Sequence, residues 1–271
     1  MEPFLSPDIS INTLCLEPAT LAAQAACIAR IGAGAISPGL EQVESIGAAQ
    51  AARLFRDTGL SVAVLTHRAF GFLTSIEAKK QRDRLMATID MAHTIGARAV
   101  CMTSGSRGEM SWLEASRRFA LEIAPCADYA RSARVALGIE PTSHLYADVS
   151  IAHRLSDTVS LARAANIGVG IDLFACWVDA DIEAAIAAAG PICSFVQVSD
   201  YAPGDRALPC RAVPGDGAIP LDHLIGLILA TGFRGPFDLE IIGPRLAAEG
   251  CEAGLMRALS TLQRIIARGF P

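Results

Sequence analysis

The chain has 271 residues, a length that fits one large α/β domain or two small ones. Hydrophobic residues make up 52% of it and charged residues 19%, so a large core can form. The formal net charge is -5 and the sequence contains no basic run, which argues against a nucleic-acid partner.

The cysteine pattern and the apolar runs exclude several other classes of protein. The eight cysteines include no C-x-x-C pair, which argues against a disulfide scaffold and a structural zinc site. The apolar runs are far shorter than the ~20 residues that span a bilayer. The segment Met1–Phe4 lacks a charged region followed by an apolar stretch, so we expect no signal peptide. These features predict a soluble, cytoplasmic protein.

Short apolar runs alternate with longer helical patterns along the whole chain. Most of the runs are apolar on both faces, as expected of parallel strands that are buried on both sides. The predicted strands are Ile9–Leu14, Ala33–Ser37, Ser61–Thr66, Ala99–Thr103, Val135–Glu140, Val169–Asp172, Phe195–Ser199 and Phe237–Ile242.

Eight stretches between and after these strands carry apolar residues at helical spacing. Pro125 falls inside the fourth stretch, where we expect a kink or a break. The predicted helices are Thr20–Ile31, Gln42–Thr58, Glu77–Ile95, Ser111–Ser132, Ile151–Ala165, Ile182–Ala188, Leu221–Ala230 and Glu252–Arg268.

This alternation predicts a single (β/α)8 TIM barrel domain over residues 1–271. Such a barrel needs ~250 residues and would therefore use nearly the whole chain. The alternative is an open doubly wound sheet, which usually carries a glycine-rich phosphate loop after its first strand. Here that position reads Asn12-Thr13-Leu14-Cys15-Leu16-Glu17, without glycine, which favours the barrel.

Polar side chains end four consecutive predicted strands: Glu140, Asp172, Gln197 and Glu240. The C-terminal ends of barrel strands form the catalytic face, and neighbouring ends lie ~5 Å apart, so these side chains can converge on one ion. Three carboxylates and an amide oxygen suit Mn²⁺ or Mg²⁺ best, with Co²⁺ or Zn²⁺ as alternatives. A single carboxylate there is often only a helix cap, and Gln197 alone can be hydrogen-bonded core. Four on successive strands favour a metal site.

Five further residues near the predicted mouth are candidates for substrate contact. His67 ends the third strand and suits substrate contact or proton transfer, with a core or capping histidine as the alternative. Arg206 and Arg211, in the loop after the seventh strand, can bind a carboxylate or phosphate, or can simply be solvated. Asn12 ends the first strand and can donate to a substrate oxygen, and Trp177 can wall the pocket.

Five segments carry a resemblance to a known family, and the last two together are the most specific. They are Ile139-Glu140-Pro141, Gly170-Ile171-Asp172, Val196-Gln197-Val198-Ser199-Asp200, Pro214-Gly215-Asp216-Gly217-Ala218-Ile219 and Gly232-Phe233-Arg234-Gly235-Pro236-Phe237-Asp238-Leu239-Glu240. The chain resembles the xylose-isomerase-like TIM barrel superfamily, the sugar phosphate isomerase/epimerase group.

This resemblance implies a metal tetrad of Glu, Asp, His and Glu at positions 140, 172, 197 and 240. It also implies that Glu140 and Glu240 act as the acid/base pair beside the substrate, as in the family's epimerases. Two departures stand out. Gln197 replaces the usual His, which favours oxygen-loving metals over zinc, and Ala175 replaces a His that commonly contacts the substrate.

The sequence therefore predicts a divalent-metal-dependent isomerase or epimerase acting on a sugar, keto-polyol or related hydroxy-carbonyl compound. The shared step is formation of an enediolate that the ion stabilises. One alternative is a lyase, a dehydratase that loses a β-hydroxyl from the same intermediate. Another is a non-catalytic barrel that binds a small molecule. We expect a small substrate, anionic or neutral, no membrane or nucleic-acid partner, and a homodimer as one possible assembly.

Overall fold

The computed structural model describes residues 8–269, and Met1–Phe4, for which no signal peptide is predicted, lies outside that range. Eleven strands occur in the described residues, and nine of them form one parallel sheet. In chain order they are β1 (Ile9–Asn12), β2 (Ala35–Ser37), β3 (Ser61–Val62), β4 (Val64–Thr66), β5 (Ala99–Met102), β6 (Ala136–Ile139), β7 (Gly168–Asp172), β8 (Cys193–Val198), β9 (Asp200–Tyr201), β10 (Arg211–Ala212) and β11 (Phe237–Leu239).

The sheet closes into a barrel through its third predicted strand, which is interrupted at Ala63. Strand β3 pairs with β2, and β4 pairs with β5. The Ala63 N–H donates to the carbonyl of Ile36, and its own carbonyl accepts from Ala99 N, so Ala63 joins the two edges. The other neighbours run in the order β2-β1-β11-β8-β7-β6-β5. The predicted (β/α)8 TIM barrel is confirmed.

Helices surround this barrel, and each of the eight predicted helical stretches contains at least one. The helices are α1 (Leu21–Ile31), α2 (Leu40–Ile46), α3 (Ala48–Asp57), α4 (Ser75–Ile95), α5 (Trp112–Ala133), α6 (Leu155–Ala165), α7 (Leu173–Cys176), α8 (Ile182–Ala189), α9 (Leu221–Ala230), α10 (Pro244–Glu249) and α11 (Cys251–Gly269). In residues 8–269, none is both long and apolar enough to cross a membrane.

Two details differ from the predicted helices. The predicted stretch Gln42–Thr58 is two helices because Gly47, at φ 82°, ends α2 and caps α3 in a conformation that few other residues adopt. By contrast, Pro125 does not split α5, which continues from Trp112 to Ala133. One missing backbone donor is tolerated there because Phe119, Ile123 and Cys126 of the same helix are buried.

The strand side chains alternate between the helix layer and the barrel interior. Residues such as Leu65, Ile139 and Val196 belong to the main core between sheet and helices. Phe195 points inward, where Gly138 and Gly170 leave room for its ring. A Cβ on Gly170 would lie 2.2 Å from the Phe195 ring, so this glycine is required by close packing. The ring fills the barrel below the C-terminal face.

Candidate metal and active site

A cavity of about 230 Å³ lies at the C-terminal end of the barrel. Its acidic residues lie at or just after the ends of β6, β7 and β11, and the segment 208–211 also lines it. Its lining residues are Thr103, Glu140, Thr142, Ser143, Tyr146, Val149, Asp172, Phe174, Ala175, Leu208, Pro209, Cys210, Arg211, Glu240 and Ile242.

All four predicted metal ligands lie at this end of the barrel. Asp172 ends β7 and is the register partner of Gln197 on β8. Glu140 and Glu240 directly follow β6 and β11, and the backbone N–H of each donates a hydrogen bond to a carbonyl of a neighbouring strand. Asp172, Gln197 and Glu240 are at most 7% exposed. The strand ends therefore hold these groups on rigid backbone, away from bulk solvent.

Arg211 bridges two of the carboxylates. Its Nη1 and Nη2 donate to the two oxygens of Asp172 at 3.0 and 2.7 Å. The same Nη2 lies 3.1 Å from Oε2 of Glu240. Its guanidinium carbon also stands 4.8 Å from the centre of the Phe174 ring. Arg211, predicted as a substrate residue, is thus held within the ligand set itself.

The backbone around Arg211 explains how a loop residue reaches the strand ends. The short strands β9 and β10 pair antiparallel, with Arg211 opposite Tyr201. The Arg211 N–H also donates to the carbonyl of Ile242, just after β11. Asp200 fixes the following turn, because its carboxylate accepts from the backbone N–H of Gly215, Gly217 and Ile219. Arg211 therefore projects from a secured hairpin.

The buried acids hold their protons more tightly than free carboxyl groups do. Burial, followed by the charges of Glu240 and Asp172, raises the pKa of Glu140 well above its usual range. Burial also raises the pKa of Glu240, although Arg211 opposes that shift. Burial raises the pKa of Asp238, one interior position below Glu240 on β11, to about 6. The site has more negative charge than its protein partners offset.

A divalent cation fits this donor set. Oε1 of Gln197 is buried and has no hydrogen-bond partner among the described residues. When all three carboxylates are ionised, as metal binding requires, they and the one guanidinium also leave two formal negative charges. In residues 8–269 no three His, Cys, Asp or Glu groups are already spaced to hold a metal ion. Glu140, Asp172, Gln197 and Glu240 nevertheless offer hard oxygen donors, one of them without any other partner.

Cys101 is a site residue that the sequence analysis missed. Its Sγ lies 3.1 Å from Oε2 of Glu140, inside the barrel on β5. Burial raises the pKa of this thiol well above its usual value, so Cys101 keeps its proton and donates to the carboxylate. Its inward direction could have been predicted from its position two residues after Ala99, because residues two apart in a strand share a face.

Asn12 and His67 lie near the mouth, but their side chains are engaged elsewhere. Asn12 donates to Oδ2 of Asp238 at 3.0 Å and caps the backbone N–H of Leu14. His67 points outward to the helix layer, where Nδ1 lies 3.0 Å from Oγ1 of Thr88. Burial lowers the pKa of His67 to about 4. Neither residue lines the cavity.

Trp177 and Arg206 also lie outside the cavity. Trp177 packs against Tyr201, with ring centres 6.1 Å apart, and Phe174 takes the aromatic position in the wall. Arg206 is exposed and lines a separate groove beside Arg245, on the outer side of the same loop. The predicted pair of arginines is therefore not brought together, and only Arg211 reaches the acidic strand ends.

The fold and the strand-end acids define a (β/α)8 barrel with a candidate metal site at its C-terminal face. The family model for the xylose isomerase-like TIM barrel matches residues 25–260. The chain therefore belongs to this family, as its motifs indicate. No curated protein matches the chain in sequence.

Solved structures share the fold. Protein SMc04130 from Sinorhizobium meliloti 1021 is 26% identical, with a TM-score of 0.86, over 96% of this chain and 99% of that one. The IolI protein with a bound zinc atom is 17% identical, with a TM-score of 0.84 over 97% and 99% of the two chains. L-ribulose 3-epimerase is 17% identical, with a TM-score of 0.79 over 97% and 95%. At this identity, the latter two likenesses concern the fold alone.

Proposed function

We propose that this protein is a divalent-metal-dependent isomerase or epimerase that moves a proton beside the carbonyl of a small hydroxy-carbonyl or polyol substrate. The observation that carries the proposal is that Glu140, Asp172 and Glu240 line one cavity, while Gln197, the register partner of Asp172, has a buried Oε1 without a partner. Two acids with raised pKa values in one cavity are suited to act as general acid and base.

The proposed metal ligands are Glu140, Asp172, Gln197 and Glu240. A bound Mn²⁺ or Mg²⁺ would supply Lewis-acid stabilisation to negative charge that develops on substrate oxygens. The amide oxygen of Gln197 favours these metals over zinc. The zinc atom in the IolI structure belongs to a protein that is 17% identical, so it does not decide the metal here.

The two glutamates are proposed to divide the proton transfer between them. Arg211 lies 3.1 Å from Glu240 and favours its charged form, which suits a base. Glu140 is instead buried and faces the charges of Glu240 and Asp172, which raise its pKa more than the hydrogen bond from the Cys101 thiol lowers it. It holds a proton more readily, which suits the acid. Return of the proton to the neighbouring carbon gives isomerisation, and its return to the opposite face of the same carbon gives epimerisation, in both cases through an enediolate.

The cavity favours a small substrate. Its volume of about 230 Å³ is below the ~300–1,000 Å³ typical of sites for drug-sized ligands. Among the described residues, Arg211 is the one cationic side chain in the lining, and Asp172 and Glu240 engage it. The proposal therefore does not require an anionic substrate, and Asn12, His67, Trp177 and Arg206 have no direct substrate role in it.

Deuterium exchange tests the proposed proton transfer. Purified protein is loaded with Mn²⁺ and incubated in D₂O with a panel of ketoses, keto-polyols and cyclic hydroxy-ketones. An isomerase or epimerase incorporates solvent deuterium beside the carbonyl without loss of water. Binding of panel members without exchange, product or dependence on Mn²⁺ would instead favour a non-catalytic small-molecule-binding barrel.

A dehydratase is the second candidate, and Ala175 is the observation that favours it. Ala175 lines the cavity at the position where the resemblance of the chain to the family implies a histidine that contacts the substrate. The methyl group of alanine can neither donate nor accept a proton. In a dehydratase, the proton from Glu140 would go to the β-hydroxyl, which leaves the same enediolate as water, instead of to carbon as in epimerisation. In the D₂O experiment, a dehydratase is recognised by a new conjugated-carbonyl absorbance.

A further inference from the structure

Arg211 contacts two of the carboxylates that are proposed to bind the metal. Both of its terminal nitrogens are directed at Asp172, at 3.0 and 2.7 Å, and one of them also contacts Glu240. A bidentate pair of this kind uses both carboxylate oxygens, the same oxygens that a metal ion would take. Gln197 Oε1, by contrast, has no partner.

The guanidinium is held in place by more than these ion pairs. It stands over the Phe174 ring at 4.8 Å, and Nη1 also donates to Oγ of Ser199 at 3.3 Å. The backbone on which it sits is fixed by the Ile242 carbonyl and by pairing with Tyr201. Arg211 is therefore a fixed cation inside the ligand set, with most of its side chain removed from water.

From this geometry we propose that Arg211 is an internal competitor for the metal position. It neutralises Asp172 and Glu240 in the metal-free protein, and a divalent ion that takes the Asp172 carboxylate has to share its oxygens with the guanidinium or displace it. Arg211 is thus a positioning residue that lowers metal affinity while it stabilises the metal-free barrel. The inference rests on the proposed function in taking a divalent ion as the cofactor.

A contrasting role makes the opposite prediction. Residues outside a metal's immediate ligands often orient those ligands, and losing such a residue typically weakens metal binding by 10–100-fold. If Arg211 only oriented Asp172, its removal would weaken binding. If it competes with the ion and repels it, removal strengthens binding. The sign of the change in affinity therefore separates the two roles.

Mn²⁺ titration of EDTA-treated protein tests the proposal without any activity assay. We expect Arg211→Gln to bind Mn²⁺ about tenfold more tightly than wild type, the lower end of the effect that one nearby charge has on a carboxylate's proton affinity. The metal-free variant should also melt on the order of 5–10 °C lower, because Asp172 and Glu240 lose their counter-charge. Arg211→Lys keeps the charge without the bidentate fork and should lie between wild type and Arg211→Gln in both measurements.

Arg206→Gln is the matched control, since Arg206 lies in the same loop but lines the outer groove. It should leave Mn²⁺ affinity and metal-free melting temperature unchanged. Weaker or unchanged Mn²⁺ binding by Arg211→Gln and Arg211→Lys, with binding by wild type intact, overturns the competitor role. Absence of Mn²⁺ binding by wild type itself counts against the proposed function. If wild type binds no Mn²⁺, the melting temperature still tests whether Arg211 offsets the charge of Asp172 and Glu240. An unchanged melting temperature of metal-free Arg211→Gln would overturn that role.

Discussion

The two halves of the barrel mouth treat their polar strand ends differently. On the β1–β4 side, Asn12 donates to a buried carboxylate, and His67 turns outward to Thr88, with its unpartnered Nε2 buried away from the cavity. On the β6–β11 side, Gln197 Oε1 has no partner. Glu140 lines the cavity there, and the negative charge of the acids exceeds the positive charge of the side chains around them. The β6–β11 side is therefore distinguished by an unpartnered buried oxygen on the strand next to Asp172, a carboxylate that lines the cavity.

The largest expected effect comes from removing an acid on the β6–β11 side. Glu240→Gln keeps the shape of the side chain but removes the proposed base, so we expect turnover to fall by about 10³-fold. The measurement is the rate of deuterium exchange with the best substrate of the panel. Glu44→Gln, at an exposed glutamate on α2, is the control and should retain full activity. Equal activity of Glu240→Gln and wild type would remove Glu240 from the mechanism.

The two halves should also respond to pH in opposite directions. The pKa of Glu140 is raised above its ordinary 4.5 to about 8, so the stability it contributes is present below pH 4.5 and is lost as pH rises through 8. Melting of EDTA-treated wild type should therefore decline over that window. Glu140→Gln should flatten the decline. An unchanged slope would show that other groups cause it.

His67 should give the reverse dependence. Its pKa is lowered from 6.5 to about 4, so its contribution is present above pH 6.5 and is lost as pH falls through 4. The loss should be on the order of 2–3 kcal/mol, measured by denaturant unfolding at pH 7 and pH 4.5. His67→Asn should reduce this difference without altering Mn²⁺ affinity at pH 7. A large change in affinity would place His67 in the site after all.

A matched pair of substitutions compares the two halves at the smallest scale. Asn12→Leu removes two hydrogen bonds, one of them to a buried carboxyl, and should cost about 2 kcal/mol of unfolding free energy. Gln197→Leu removes an amide whose buried Oε1 has no partner, so we expect stability to stay equal or rise by about 1 kcal/mol. Mn²⁺ affinity should respond the other way, weakening at least tenfold in Gln197→Leu only. Equal changes in stability and in Mn²⁺ affinity in the two variants would show that the two halves of the barrel mouth do not differ in this respect.

Most of the fold could be predicted because parallel strands buried on both sides leave a clear signal of short apolar runs. The interruption at Ala63 and the division of the helix at Gly47 could not, because each depends on local backbone geometry. The short helices α7 and α10 also went unpredicted. With four and six residues, they are too brief to show a helical period.

The candidate site was predicted in position but not in contacts. Strand order places Glu140, Asp172, Gln197 and Glu240 at one end of the barrel whatever their side chains touch. The role of Arg211 depends on the pairing of β9 with β10, a tertiary feature without a sequence period. The direction of His67 was within reach, because it shares the outward face with Leu65 two residues earlier.

The most direct test of a metal-dependent site on the β6–β11 side is calorimetric titration of EDTA-treated protein with Mn²⁺, for wild type and Asp172→Asn. Wild type is predicted to bind one ion per chain, and Asp172→Asn to bind it at least tenfold more weakly because a buried carboxylate donor is lost. Failure of wild type to bind Mn²⁺, or equal binding by the two proteins, would contradict the account.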